Sequence, residues 1–572
     1  MLYCNVIHKI SNDSSVDYTI EPLKFQQDEA HKLGLKTTLL VSYDVLFVED
    51  YVKYCIEQSE KYGDELGLNM QFLIGEKYSE FSKTREGQLH LMPFEQQKIM
   101  VEEHFERFKA AFGYYPKSVA FYYMSAPILI WMKEKYPEFK IAIMNCFEEG
   151  IHMYDGNRHG WNLFCEGSPW GAYYPSKKNS MCPAYDEADA IGIVAVPHLN
   201  RDMMMAHIGR DDCFSSHSAN VQRGMVNEGN KCKYLYDFFD EWKKQSSYNK
   251  AVYYNTLVNA LWLDEGKNFE ETVEDSRDLY CQTLRIYKDN EDNGEAKVCT
   301  MAEYADIHNK LCNYDTADIN LWNDLLMGSK RQLFWCSRSE YRITIDPNLG
   351  GAIVDLRPYA GRLSIVPGPD SDVMWTGSYP YVLHNWHRES CHTCFINGEN
   401  LFEHRTTASV KKEENGDIAL ILEPVELDVD NATIDVQSIF LIKKDGRIAI
   451  RRKILSSSEP QKEYSVKEQF RGTKGTGVLP EDYKGTRLYI DDKNGELSLS
   501  ANYEDRKIAS NNASCVGCYV PQLNTTVELI TEDKNARFTA EEGYMFRPYY
   551  TMICEHTTVK AGEEVVTWLK IR

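Results

Sequence analysis

Three acidic side chains, Glu148, Asp44 and Asp202, each stand at or just past the end of an apolar run that reads as a β-strand. Two carboxyl groups that share one cavity push each other's pKa apart, leaving a protonated acid and an ionised partner at neutral pH. Cleavage of a glycosidic bond needs that pair. One carboxyl protonates the leaving oxygen, and the other attacks the anomeric carbon or activates water. The neighbouring strand ends carry His8, Glu65, Asn69 and His198, and Arg201, His207 and His217 follow the last of them. Groups of this kind suit the recognition of hydroxyls. The stretch 149–189 holds Trp161, Trp170, Tyr173 and Tyr174 among amides and cations. Indole and phenol rings present an apolar face with a polar edge, as a sugar-binding flap would. We expect Glu148, Asp44 and Asp202 to be catalytic, and His8, Glu65, Asn69, Trp161, Trp170, Tyr173, Tyr174, His198, Arg201 and His217 to bind a carbohydrate substrate, with no metal and no cofactor. Two other readings use the same residues. One is a metal-dependent hydrolase built on His8, Asp44, His198 and Asp202. The other is a glycan-binding protein without catalysis.

The elements that must position these groups alternate. Strand patterns at 2–8, 36–43, 65–73, 118–123, 139–147, 190–198 and 251–258 are separated by helical patterns such as 21–33, 48–62, 94–112, 126–136 and 271–288. Such alternation implies parallel strands joined by crossovers, and the regular repetition favours a closed barrel with its chemistry at the carboxyl ends of the strands. Side chains alternate along a strand, so each strand offers a phase for the lumen. With bulky branched residues assigned to the helices, the inward sets are Thr38, Leu40, Ser42 and Asp44; Glu65, Gly67 and Asn69; Ala142, Met144, Cys146 and Glu148; and Gly192, Val194, Val196 and His198. His8 shares a face with Cys4 and Val6. Neither G-x-G-x-x-G nor a P-loop follows any strand, so the dinucleotide and P-loop readings lose support.

Beyond residue 330 the pattern changes to short apolar runs between turns, among them Tyr341–Ile345, Ile418–Leu422 and Arg447–Ile450, with hairpin signals at Lys444-Asp445-Gly446 and Lys493-Asn494-Gly495. This predicts an antiparallel β-sandwich. The fold class is therefore α/β plus all-β, with a barrel over 1–312, a linker over 313–329 and a sandwich over 330–572. The 572 residues carry a formal net charge of −22, which opposes nucleic-acid and anionic-membrane partners. The 16 cysteines are scattered without a disulfide spacing and read as reduced thiols of a cytoplasmic protein. The start, Met1-Leu2-Tyr3-Cys4-Asn5-Val6-Ile7-His8, shows no signal-peptide pattern. Cys391-His-Thr-Cys394 and Cys515-Val-Gly-Cys518 could form a zinc site only if two segments far apart in sequence met. The sandwich either shields the barrel mouth or builds a homo-oligomer.

The stretch His31-Lys-Leu-Gly-Leu-Lys-Thr-Thr-Leu-Leu-Val41 is similar to the second-strand signature of the polysaccharide deacetylase superfamily. Gly63-Asp-Glu-Leu-Gly-Leu-Asn69 resembles its third-strand signature, and Leu279–Lys288 with Val298-Cys-Thr-Met-Ala-Glu303 its last unit. The resemblance covers roughly the first 310 residues and implies the (β/α)7 barrel shared with glycoside hydrolase families 38 and 57. The half from Tyr341 through Gly350-Gly351 and Ala352–Leu356 resembles a mutarotase-like β-supersandwich. The whole is similar to a bacterial family of barrel-plus-sandwich proteins. The deacetylase metal site needs paired aspartates on the first strand and His-x-x-x-His on the third. Here Ile7-His8-Lys9 ends the first, and Asn69 and Leu73 occupy the histidine positions. The fourth strand, Phe121-Tyr122-Tyr123-Met124, lacks the family 57 glutamate. The resemblance thus implies a carbohydrate-active barrel without the metal chemistry of the deacetylases.

Overall fold

The computed structural model describes residues 1–10, 20–71, 89, 92–121, 124–145, 171–204, 231–264, 273–360, 383, 391–473, 485–500, 506–545 and 547–572. The chain divides into two compact units. The first comprises Met1–Asp318 with Leu325–Gly328, and the second comprises Ile319–Asp324 and the described residues from Ser329 onward.

The first unit is built on seven parallel strands: β1 (Leu2–Ile10), β2 (Thr38–Ser42), β3 (Glu65–Asn69), β4 (Ser118–Ala120), β5 (Ile141–Asn145), β6 (Val194–Pro197) and β7 (Val252–Asn259). Their order, β6-β5-β4-β3-β2-β1-β7, is that of a nearly closed barrel, and a short β8 (Ala296–Val298) pairs with the start of β1. Helices α1 (Glu21–Lys32), α2 (Glu49–Tyr62), α3 (Phe94–Phe112), α4 (Ala126–Lys135), α5 (Lys231–Lys244), α6 (Val273–Asp292) and α7 (Met301–Leu311) join and close it. Local chemistry marks their ends. Pro22 and Glu21 open α1, where a missing N–H costs nothing and a negative charge meets the positive end of the helix dipole. Gly63, at φ 77°, ends α2 in the left-handed conformation. A reciprocal capping box of Thr300 and Glu303 opens α7.

Two apolar clusters fix which face of each strand is which. One packs Leu39, Val41, Leu66, Leu68, Val119, Ala142 and Met144 against helix residues such as Phe105, Phe108, Leu129 and Met132. The other joins Tyr3, Ile7, Leu40, Ala120, Ile141, Ile143, Val194, Val196, Tyr253 and Leu257, and is closed by Met301, Tyr304 and Ala305 of α7. The second cluster is the lumen. Register agrees, pairing Tyr3 with Tyr253, Ile7 with Leu257 and Lys9 with Asn259 across β1 and β7. The lumen is close-packed at its waist, where a Cβ on Gly67 would lie 2.3 Å from Ser118 Oγ and 2.8 Å from Leu40 Cδ2.

The gap between β6 and β7 is bridged by side chains. Asn200 Nδ2 donates to the Tyr253 carbonyl at 3.0 Å, and its Oδ1 accepts the Asn255 N–H at 2.8 Å. Asn255 Nδ2 donates to the Pro197 carbonyl at 3.2 Å. A primary amide offers the same donor and acceptor as a peptide unit, so Asn200 satisfies strand-edge groups that would otherwise be buried unpaired.

The second unit contains, among the described residues, two antiparallel ten-stranded sheets. One follows the order Asp318–Asn323, Gln332–Ser337, Tyr341–Asp346, Ala352–Pro358, His392–Ile396, Tyr464–Thr473, Arg547–Val559, Arg537–Met545 and Arg506–Ser510. The strand Asp318–Asn323 therefore lies within 313–329, the span expected to be a linker. The strand Ala432–Ile442 alternates, with every second residue buried. The second unit also holds a buried ionic group. Arg452 Nε donates to Glu468 Oε1 at 2.8 Å, and His392 Nε2 lies 2.8 Å from Glu468 Oε2. Burial alone would raise the Glu468 pKa, but the Arg452 guanidinium and His392 hold it down to about 2. The described cysteines, including Cys391, Cys394, Cys515 and Cys518, are free thiols. Among the described residues, no three metal-ligating side chains converge and no helix is long and apolar enough to cross a membrane.

Candidate active site

The lumen changes character along its axis. Its middle is apolar, and at its carboxyl end Lys9, Ser42, Asn69, His198 and Asn259 continue the lumen phase of their strands and are almost fully buried, as is Gln71 two residues past Asn69. Asn69 Nδ2 donates to Ser42 Oγ at 2.8 Å, and Asn69 Oδ1 accepts the Gln71 N–H at 3.2 Å. His198 shares the phase of Val194 and Val196, both lumen residues. Lys9 and Asn259 are register partners on neighbouring strands. Gln71 stands out because it is 2% exposed and neither its Oε1 nor its Nε2 has a hydrogen-bond partner among the described residues. A buried polar group left so costs roughly 1–3 kcal/mol, which is the signature of a group kept for a ligand or solvent.

The structure distributes the expected site residues unevenly. Asn69 and His198 line the mouth, and Asp44 opens a half-buried 3₁₀ turn, Asp44–Phe47, at the same end. His8 does not reach the lumen. Ile7 and Lys9 occupy that face, and His8 is turned to the helices, its Nε2 2.6 Å from Tyr280 Oη and its Nδ1 2.8 Å from Gln27 Nε2. Burial, with a smaller contribution from His31, lowers its pKa to about 3, so the ring is neutral. The metal set of His8, Asp44, His198 and Asp202 is therefore not assembled.

Glu65 faces the lumen at the opposite end, where its Oε2 accepts the Ala302 N–H at 2.7 Å and holds the start of α7. Burial raises its pKa, against the pull of that hydrogen bond. Asp202 is fully buried beyond β6. Its Oδ2 accepts from Tyr234 Oη at 3.0 Å and its Oδ1 from the Met204 N–H at 3.1 Å, contacts that anchor the loop to α5. Arg201 is buried too, and its carbonyl accepts from Trp242 Nε1 at 3.2 Å. Tyr173 bridges the edge of β6 through Ala195, and its hydroxyl donates to the Ser180 carbonyl at 2.9 Å. Tyr174 leans on α7, with its ring 4.8 Å from that of His308. These two tyrosines are packing anchors of their segment. Glu148, Trp161, Trp170 and His217 lie outside the described residues.

The phase expected for β5 is reversed. Ile141 and Ile143 belong to the lumen cluster, and Ala142 and Met144 to the helix side. Branched side chains fill barrel interiors in layers, so bulk is not a mark of the outer face. Lys9, Gln71 and Asn259 were not singled out from the sequence. Lys9 could have been found by testing the second phase of β1, a strand buried along its whole length. A lone glutamine just past a strand end gives no comparable signal.

The first unit is thus a seven-stranded parallel barrel with a polar, buried mouth, and the second an antiparallel sandwich, the combination that the sequence motifs implied. Residues 34–311 match the model of a family described as a Domain of Unknown Function with solved-structure structure (DUF3863). Among solved structures, a protein from Parabacteroides distasonis provisionally described as a glycoside hydrolase/deacetylase aligns with 65% of this chain and 88% of its own, at 16% identity and a TM-score of 0.49. The 4-alpha-glucanotransferase of Thermococcus litoralis aligns with 100% of this chain and 99% of its own, at 9% identity and a TM-score of 0.31. A galactose mutarotase-like protein from Clostridium acetobutylicum aligns with 44% of this chain and 98% of its own, at 11% identity and a TM-score of 0.30. A search of curated proteins returned no match.

Proposed function

We propose that the barrel is a carbohydrate-active enzyme that hydrolyses a glycosidic bond at its carboxyl-end mouth. The observation that carries this reading is the buried Gln71 amide, whose donor and acceptor are both without a partner among the described residues, set beside Asn69 and Ser42. A sugar hydroxyl both donates and accepts, and a vicinal pair of them matches a primary amide. Lys9, His198 and Asn259 extend the same lining. Asp44, at the mouth end of β2, and Glu148, assigned on its sequence position past β5 and not on the phase of that strand, are the carboxylates given the acid–base and nucleophilic or basic roles, while Asp202 accepts from Tyr234 and the Met204 N–H. A non-catalytic glycan-binding barrel would use the same lining without turnover.

The test is digestion of a glycan library by the full chain and by Gln71→Leu and Glu148→Gln. Gln71→Leu is close in volume and removes two unsatisfied polar atoms, so it should fold at least as stably as the parent while losing affinity by about tenfold or more. Glu148→Gln should keep affinity and lower turnover by about 10²–10⁴. Glycan affinity untouched by Gln71→Leu refutes the site. Binding without product in the parent chain selects the non-catalytic reading.

A further inference from the structure

The turn that follows β2 holds an aromatic ring out of the barrel. Phe47 is 55% exposed, yet it is fixed on two sides. The Arg107 guanidinium of α3 lies over one face of the ring at 4.0 Å, and Tyr43 meets it edge-on at 5.1 Å and 75°. Both supports are themselves tied down. Arg107 Nη2 donates to the Leu46 carbonyl at 2.7 Å, and Tyr43 Oη to Glu103 Oε1 at 2.5 Å. Ile99, 58% exposed, stands one helical turn before Glu103 and two before Arg107 on the same face of α3. The result is an exposed ring held from two sides, with Ile99 further along the same face of α3 and the carboxyl groups of Asp44 and Glu103 near these residues in the chain.

Its size and place decide what fits. One ring and one aliphatic side chain fall far below the roughly 800 Å² that each partner contributes to a stable protein interface. A pyranose ring has an apolar C–H face of matching size and hydroxyls around its edge that neighbouring carboxylates can accept from. Holding an aromatic ring in one orientation removes part of the ordering cost of binding. The ring also lies at the mouth end of the barrel. Phe47 is five residues beyond the lumen-facing Ser42, a separation of at most about 18 Å along the chain. A ligand that reached both would be several sugar rings long.

We propose that Phe47, on its Arg107 and Tyr43 supports, is an outlying stacking subsite that selects oligosaccharides over single sugars. This rests on the reading of the mouth as a carbohydrate site. The subsite holds a distal ring of a chain whose reacting end enters the lumen, so affinity grows with chain length until Phe47 is covered.

The experiment measures binding of the full-length protein to a glycan array graded by chain length, in parallel with Phe47→Ala, Phe47→Trp and Gln71→Leu. The expected result is that Phe47→Ala lowers the ratio of long-chain to short-chain affinity by about tenfold or more, that Phe47→Trp preserves it, and that Gln71→Leu weakens all lengths together. An unchanged ratio in Phe47→Ala, with glycan binding intact in the parent, overturns the subsite and leaves the mouth reading standing. Absence of binding by the parent to every glycan overturns both. Loss of self-association in Phe47→Ala by sedimentation, with the glycan ratio unaltered, makes Phe47 a contact between copies and overturns the proposal.

Discussion

Acid should weaken the barrel through His8. The ring is fully buried between β1 and helices α1 and α6, and its pKa is lowered to about 3 from an ordinary 6.5. Between those two values the unfolded chain binds a proton that the folded chain refuses, so stability falls as pH drops below 6.5 and is fully retained above it. Well inside that window each pH unit costs about 1.4 kcal/mol from this one group, and the integrated loss between pH 6.5 and 4.5 is about 2.3 kcal/mol. Carboxylates titrate over part of the same range, so the comparison that isolates His8 is with His8→Gln, a neutral amide that keeps a donor and an acceptor for Tyr280 and Gln27. Hydrogen exchange read by mass spectrometry on a peptide covering Leu2–Ile10, at both pH values, reports barrel opening without interference from the sandwich. The parent should lose about 2.3 kcal/mol more protection than the variant. Parallel losses in the two proteins would refute the placement of a neutral, buried imidazole on the helix side of β1.

The side-chain bridge between β6 and β7 and the ionic group of the sandwich make separate predictions. Asn200→Ala removes two hydrogen bonds and leaves the Asn255 N–H and the Tyr253 carbonyl unpaired, at a cost of about 2–4 kcal/mol. A lowered melting temperature with faster exchange confined to Val252–Asn259 is the expected readout. Glu468→Gln strands the buried Arg452 charge and should destabilise the sandwich by about 3–5 kcal/mol in denaturant titration. Because the Glu468 pKa is held down to about 2, its contribution is complete above pH 4.5 and is lost as pH falls from there toward 2. A sandwich transition that the substitution leaves in place would remove Glu468 from the structural account.

Which elements form was readable in the amino-acid order, and which way their side chains turn was readable only in part. The seven strands and the helices Glu21–Lys32, Glu49–Tyr62, Phe94–Phe112, Ala126–Lys135 and Val273–Asp292 fall where alternation and Pro22 put them, because those signals are local, whereas Lys231–Lys244 was not among the patterns singled out. The faces of β2, β3 and β6 were also legible. Those of β1 and β5 were not, since both faces of a parallel strand are buried and neither alternates with polarity. A one-residue error of phase then exchanges the whole set, and His8 took the place that belongs to Lys9. Glu65 shows a different limit. It has the expected phase, but four steps of about 3.3 Å separate it from Asn69, which sets it near the floor of the barrel instead of its mouth. Sharing a face does not mean sharing an end.

That floor has a consequence for traffic. Ile7, Leu40, Ile143, Val194, Val196 and Leu257 fill the bore, and Met301 and Tyr304 stop it from below. Among the described residues the bore offers no second opening, so a molecule that entered at the mouth would leave by the same door and a polymer would not be threaded from top to bottom. Under the carbohydrate reading proposed above, a long chain would dip one end into the well or lie across its rim, and a product released there would have to clear the way before the next arrival.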